Sequence, residues 1–133
     1  AGWEPKPDDV IYRVGFHVAE SDEEAFADMS RAAPRIALTN TSAAISAAIA
    51  DTAYYGRDVA QATRTATRTL QDRIQSGQIL VGSPETVARQ IARIRSEIGA
   101  GILDCPLGAQ LGEKTLRSIE LFGTKVLPRI REL

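Results

Sequence analysis

The chain of 133 residues holds one cysteine, one histidine, one methionine and one tryptophan. One cysteine excludes an internal disulfide and a multi-cysteine metal site. A single His with a single Cys offers no metal-ligand spacing. Aromatic residues make up 5% of the chain. Trp3, Tyr54 and Tyr55 are scattered, so no stacking platform for nucleic-acid bases forms. Sixteen basic residues stand against 17 acidic ones, a net charge of −1. That balance argues against broad electrostatic binding to nucleic acid or to an anionic membrane. No apolar run is long enough to span a bilayer, and no signal-peptide pattern is present. The expected compartment is a reducing cytoplasm. Hydrophobic content of 44% and charged content of 25% are ordinary for a globular protein.

The most informative stretch is Ile79-Leu80-Val81-Gly82-Ser83-Pro84-Glu85-Thr86-Val87-Ala88. Its short apolar run suits a parallel strand covered on both faces. Gly82 allows a tight turn. Ser83 is a good N-cap, and Pro84 fits the first helical position, where no N–H is needed. Glu85 places a negative charge at the positive end of the helix dipole. Val87, Ile91, Ile94 and Ile98 then recur at helical spacing, and Gly99 and Gly101 mark the helix end. Ile102-Leu103 starts a further strand, followed by another helix. Strand–helix–strand–helix is the grammar of a parallel α/β fold.

Residues Ala1 to Asp9 read as a Pro-rich leading loop. Val10 to Val18 is strand-like, with Tyr12, Val14, Phe16 and Val18 alternating with Arg13, Gly15 and His17. Ser21 caps a helix through Glu24 and Phe26 towards Ser30, and Pro34 is expected to break it. Thr41 or Ser42 starts an Ala-rich helix ending near Tyr55-Gly56. A polar helix from about Asp58 to Gln75, stopped by Gly77, packs through Val59, Ala62, Ala66, Leu70 and Ile74. The whole chain, 1–133, reads as one structural unit.

These motifs in this order resemble the C-terminal end of the luciferase-like, flavin-dependent monooxygenases, the bacterial luciferase family. Gly82-Ser83-Pro84-Glu85-Thr86-Val87 looks like the seventh strand–helix junction of that family's (β/α)8 barrel. The run from Tyr12 to Ala25 resembles its sixth strand and following helix. Glu113 to Phe122, ending near Val126-Leu127-Pro128, resembles the helix that closes the barrel. The expected fold is therefore α/β: a partial (β/α)8 TIM barrel comprising the last three strand–helix units, with a helical insertion. Three parallel strands are expected near residues 10–19, 78–82 and 101–105, with helices mainly on one side. A complete barrel needs roughly 250 residues. The start at Ala1 resembles a loop inside the family, so the chain is expected to be a proteolytic fragment, a designed piece or a shortened relative.

Candidate site residues follow from that placement. In a barrel one strand face packs on helices and the other faces the interior. Arg13 and His17 then point inward, towards the flavin and substrate pocket that the resemblance implies. Some sulfonate-oxidising members carry an active-site Arg at the position matching Arg13. They also carry a His at the position matching Gly15, which this chain lacks. The competing readings are a structural ion pair for Arg13 and a satisfied core residue for His17, since burial without partners is costly. Ser83 is either a plain helix cap or a phosphate contact at a helix N-terminus. Asp104 or Cys105 stands at the end of the eighth strand, the catalytic rim of a barrel. No basic residue lies close enough in sequence to activate the Cys105 thiol, which favours a structural cysteine.

The resemblance implies FMN or a deazaflavin, with the cofactor carrying the chemistry. The complete enzyme would oxidise a small organic substrate with reduced flavin and O2. This chain alone is expected to be inactive and to bind FMN weakly or not at all. The alternative is a non-catalytic α/β scaffold module using an open sheet. Two unpaired sheet edges predict a homo-oligomer or association with the missing N-terminal barrel segment. Nucleic acid and membrane are not expected partners.

Overall fold

The computed structural model describes residues 2, 4, 6–39, 69–106 and 112–133, with side chains for all of these except 33–39. The Ala-rich helix expected from Thr41 and the face Val59, Ala62 and Ala66 lie outside the described residues. The described residues form four short strands: β1 (Ile11–Arg13), β2 (Gly15–Val18), β3 (Ile79–Gly82) and β4 (Ile102–Asp104). The helices are α1 (Asp22–Thr39), α2 (Leu70–Gln75), α3 (Pro84–Ile98), α4 (Glu113–Leu121) and α5 (Leu127–Ile130). All pairing is parallel: β1 with β4 in the register Arg13↔Asp104, β2 with β3 in the register His17↔Val81. The three expected strands are thus present in a mixed α/β structure.

Their neighbours differ from barrel order. Val14 N donates to Asp104 O, whereas Ala19 N donates to Gly82 O. Even-numbered amides of the run 11–18 therefore face β4, and odd-numbered ones face β3. The run lies between β4 and β3, and the described residues form no closed barrel. A barrel would put consecutive strands side by side. A local bond explains the departure: Gly101 N donates to Pro7 O at 2.8 Å and Ile102 N to Val10 O at 3.3 Å. The Pro7–Asp9 turn thus pulls the start of β4 alongside β1. A Cβ at position 101 would come within 2.7 Å of the Pro7 carbonyl.

Helices cover both faces, which corrects the expectation of a one-sided layer. Val14, Val18 and Leu80 pack with Val87, Ile91 and Ile94 of α3, and with Leu121 and Val126. The opposite face, Ile79 and Val81, packs with Ala25 and Met29 of α1, supported by Leu70 and Ile74 of α2. The apolar spacing of α1 (Ala25, Met29, Ala32, all buried) drives it onto the sheet. The even residues of strand 11–18 do face helices as the alternation predicts. The odd face is closed over β2 and β3 and open only over β1 and β4.

Local chemistry sets the helix ends. Ser21 Oγ accepts from Glu24 N at 3.2 Å at the start of α1. That helix continues through Pro34 to Thr39. Proline holds φ near the helical value and removes only one donor, so the helix bears a cost without having to stop. Of the polar helix expected from Asp58 to Gln75, the described part is α2, with Thr69 as its N-cap. There Thr69 Oγ1 accepts from Asp72 N and Asp72 Oδ2 accepts from Thr69 N, a reciprocal cap. Ser83 caps α3 and Pro84 opens it, as expected. The final helix runs past Val126: α4 passes through a wide π-helical turn, Phe122–Val126, into α5. Phe122 in that turn stacks on Phe16 of β2, with ring centres 4.3 Å apart.

Candidate functional site

Three of the four candidate residues, Arg13, His17 and Ser83, are matched to a carboxylate, and for Arg13 it is the fourth, Asp104. They occupy three separate places. Arg13 Nη1 lies 3.5 Å from Asp104 Oδ2, both side chains largely exposed on the open face of β1 and β4. Parallel register brings these two together, one strand apart. Ile11 and Ile102, paired in the same register, lie exposed on the same face.

His17 is 2% exposed and Asp28 4%. His17 Nε2 lies 3.2 Å from Asp28 Oδ2. Lys114 Nζ of α4 donates to Asp28 Oδ1 at 2.6 Å. Burial pushes the Asp28 carboxyl up, but the hydrogen bonds from Lys114 and His17 outweigh it and hold the group below its ordinary value. With Asp28 ionised, Nε2 is the ring nitrogen that donates. Glu24 and Arg31 flank the cluster at 3.9 Å from Lys114 and Asp28 respectively. The cluster ties α1, β2 and α4 together. It matches the satisfied-core alternative for His17, because α1 separates the ring from solvent.

Ser83 N donates to Asp22 Oδ1 at 2.6 Å, and Thr86 Oγ1 donates to Asp22 Oδ2 at 2.9 Å. Ser83 Oγ in turn accepts from Thr86 N. The bond from the Ser83 amide is the main cause that lowers the Asp22 carboxyl below its ordinary value. An internal carboxylate therefore sits where a phosphate would meet the α3 N-terminus. Gly82 makes this close approach possible. Its φ is +151°, and a Cβ there would lie 2.8 Å from both Asp22 Oδ1 and Thr86 Cγ2.

Register fixes the spread of these places. Ser83 lies one residue beyond the Val18↔Gly82 pair, and Asp104 is level with Arg13. That offset of six residues is about 20 Å along the strands. Ser83 and Asp104 therefore do not share a rim. Cys105 is half-buried, and burial followed by the Asp104 charge pushes its thiol up, away from nucleophilic character. Among the described residues no group of three or more His, Cys, Asp and Glu is placed to hold a metal ion, and no helix is long and apolar enough to cross a membrane.

Sequence reading missed Asp22, Asp28 and Lys114. The signal for Asp28 was available: a carboxylate inside the apolar stripe Ala25, Met29, Ala32 of a helix asks for a buried partner. Asp22 gave no signal beyond an ordinary acidic first turn, since its partner is 61 residues away.

Neither a protein-family model nor a curated protein matches the chain. Among solved structures, monooxygenase RslO1 from Streptomyces bottropensis is similar in fold, with a TM-score of 0.59 and 23% identity. The likeness covers 96% of this chain and 32% of that one, so the chain spans about a third of the length of its structural neighbour.

Proposed function

We propose that this chain corresponds to the C-terminal portion of a luciferase-like, flavin-dependent oxidoreductase, a partial (β/α)8 unit of an enzyme that oxidises a small organic substrate with reduced flavin and O2. The observation that carries this reading is the end-to-end likeness to one third of a monooxygenase. The ordered sequence motifs from Tyr12 to Pro128 add support.

Two of the candidate residues are already engaged inside the described structure. The α3 N-terminus donates its Ser83 amide to Asp22, and His17 is sealed behind α1. Of the candidate residues, Arg13 and Asp104 face open space on the sheet. One guanidinium does not make a cofactor site, and no catalytic step is derived through the group. FMN or a deazaflavin would be held by strands contributed from elsewhere, with Arg13 as the open contact among the described candidate residues. The test is an FMN titration of the purified chain, of Arg13→Ala, and of the chain combined with the N-terminal barrel segment of such an enzyme. Binding only in the combination, weakened by Arg13→Ala, is the expected outcome. Tight binding with oxygen consumption by the chain alone would overturn it.

A second reading has its own supporting observation. Both faces of the β2–β3 pair are covered, and the exposed Ile11–Ile102 pair leaves one apolar patch on the β1–β4 face. A non-catalytic module that self-associates through that patch fits this packing. Sedimentation of the chain beside Ile11→Lys separates the readings: concentration-dependent dimers lost in the variant favour the module.

A further inference from the structure

On the face of β4 opposite Asp104 lies a cavity of about 310 Å³. Its walls are Ile91 and Ile94 of α3, Leu103 of β4, Phe122, and Leu127 and Ile130 of α5. The described polar residues lining it are Cys105 and Arg95, the latter exposed at its edge. The volume equals about ten water-sized units, room for an aliphatic chain of about as many carbons. The cleft is half open, so a tail can enter it while a polar headgroup stays at its mouth.

The charge pattern of α3 selects the headgroup. Arg89 pairs with Glu85 and Arg93 with Glu97, each one turn away. Arg95 has no ion-pair or side-chain hydrogen-bond partner among the described residues, and it is the charged residue among the described ones that line the cavity. A guanidinium offers a fork of donors matched to a carboxylate. We infer that the α3–β4–α5 cavity binds a medium-chain aliphatic carboxylate, its tail among Ile91, Leu103, Phe122 and Ile130 and its carboxylate on Arg95. This site lies on the other side of the sheet from Arg13 and does not depend on the flavin reading.

The probe is sodium decanoate, used below its micellar range, with 1-decanol as the uncharged control. Calorimetry should show saturable one-to-one binding of decanoate and weaker binding of decanol. Arg95→Gln should lower decanoate affinity roughly fivefold, the scale of an exposed ion pair, and leave decanol unchanged. Bound decanoate should also slow modification of Cys105 by a thiol reagent in the unaltered protein, a readout that needs no variant to fold. Four results would overturn the inference: no saturation, equal affinity of Arg95→Gln, no protection of Cys105, or heat that tracks dimerisation of the protein.

Discussion

Gln90 serves Val81 as a neighbouring strand would. Its Oε1 accepts from Val81 N and its Nε2 donates to Val81 O, both at 3.1 Å. Val81 is buried, and its backbone groups point away from β2. On the far side of the run 11–18, Val18 N lies beyond the end of β4 and donates to Ser118 Oγ at 2.7 Å. Single side chains from α3 and α4 thus satisfy edge groups that bare strands would leave open.

Gln90→Ala should therefore cost more than a surface substitution. It strands a buried N–H and C=O, at about 1–3 kcal/mol. Urea denaturation should show a lower midpoint with unchanged slope. Hydrogen exchange at the Val81 amide should rise more than at Leu80.

Asp28→Ala should destabilise the chain by about 2 kcal/mol. Removing one partner of a fully buried pair costs roughly 3–5 kcal/mol, and Lys114 relieves part of that by reaching water. A double-mutant cycle with Lys114→Met should give a coupling energy well above that of Arg93 with Glu97, an exposed pair.

Acid sensitivity follows from the same carboxylates. Asp28 and Asp22 both titrate below their ordinary value in the folded chain. Their contribution is fully present above the unfolded value of roughly 4 and fades as pH falls through the folded one. Stability should be flat from neutral pH down to about 5 with respect to these two groups. It should then drop in more acid solution. Asp28→Asn should flatten that acid limb in a series of urea titrations at different pH.

Gly82→Ala should be destabilising by more than about 1 kcal/mol, since both the backbone angle and the contact with Asp22 oppose a Cβ. Adding Thr86→Ser should recover part of the loss by removing the Cγ2 contact, and leave the clash with Asp22. Thermal unfolding of the single and double variants checks this.

The parts of the fold that depend on near neighbours were legible in the sequence. The Ser83 cap, Pro84 start and apolar stripe of α3 are written within 16 residues and form as expected. The three strands announced themselves by short apolar runs. Pairing order was not legible, because it rests on Gly101 meeting Pro7 across 94 residues. The candidate site was legible as residue types but not as partners. Arg13 and His17 stood out as polar residues on an inward strand face, Ser83 as a helix cap and Asp104 as a strand end. That Asp104 would pair with Arg13, and that Asp28 and Asp22 would take His17 and Ser83, depends on other elements that only the fold brings near.

The position of the run 11–18 between β4 and β3 has a kinetic consequence. For this chain to join further strands as consecutive staves of a closed barrel, β4 must leave β1 and take the edge of β3 that Gln90 now holds. Hydrogen bonds would break on two edges before new ones form on either. Assembly with an N-terminal segment would then be gated by a rearrangement inside this chain, not by encounter, and its rate would level off as the concentration of the added segment rises.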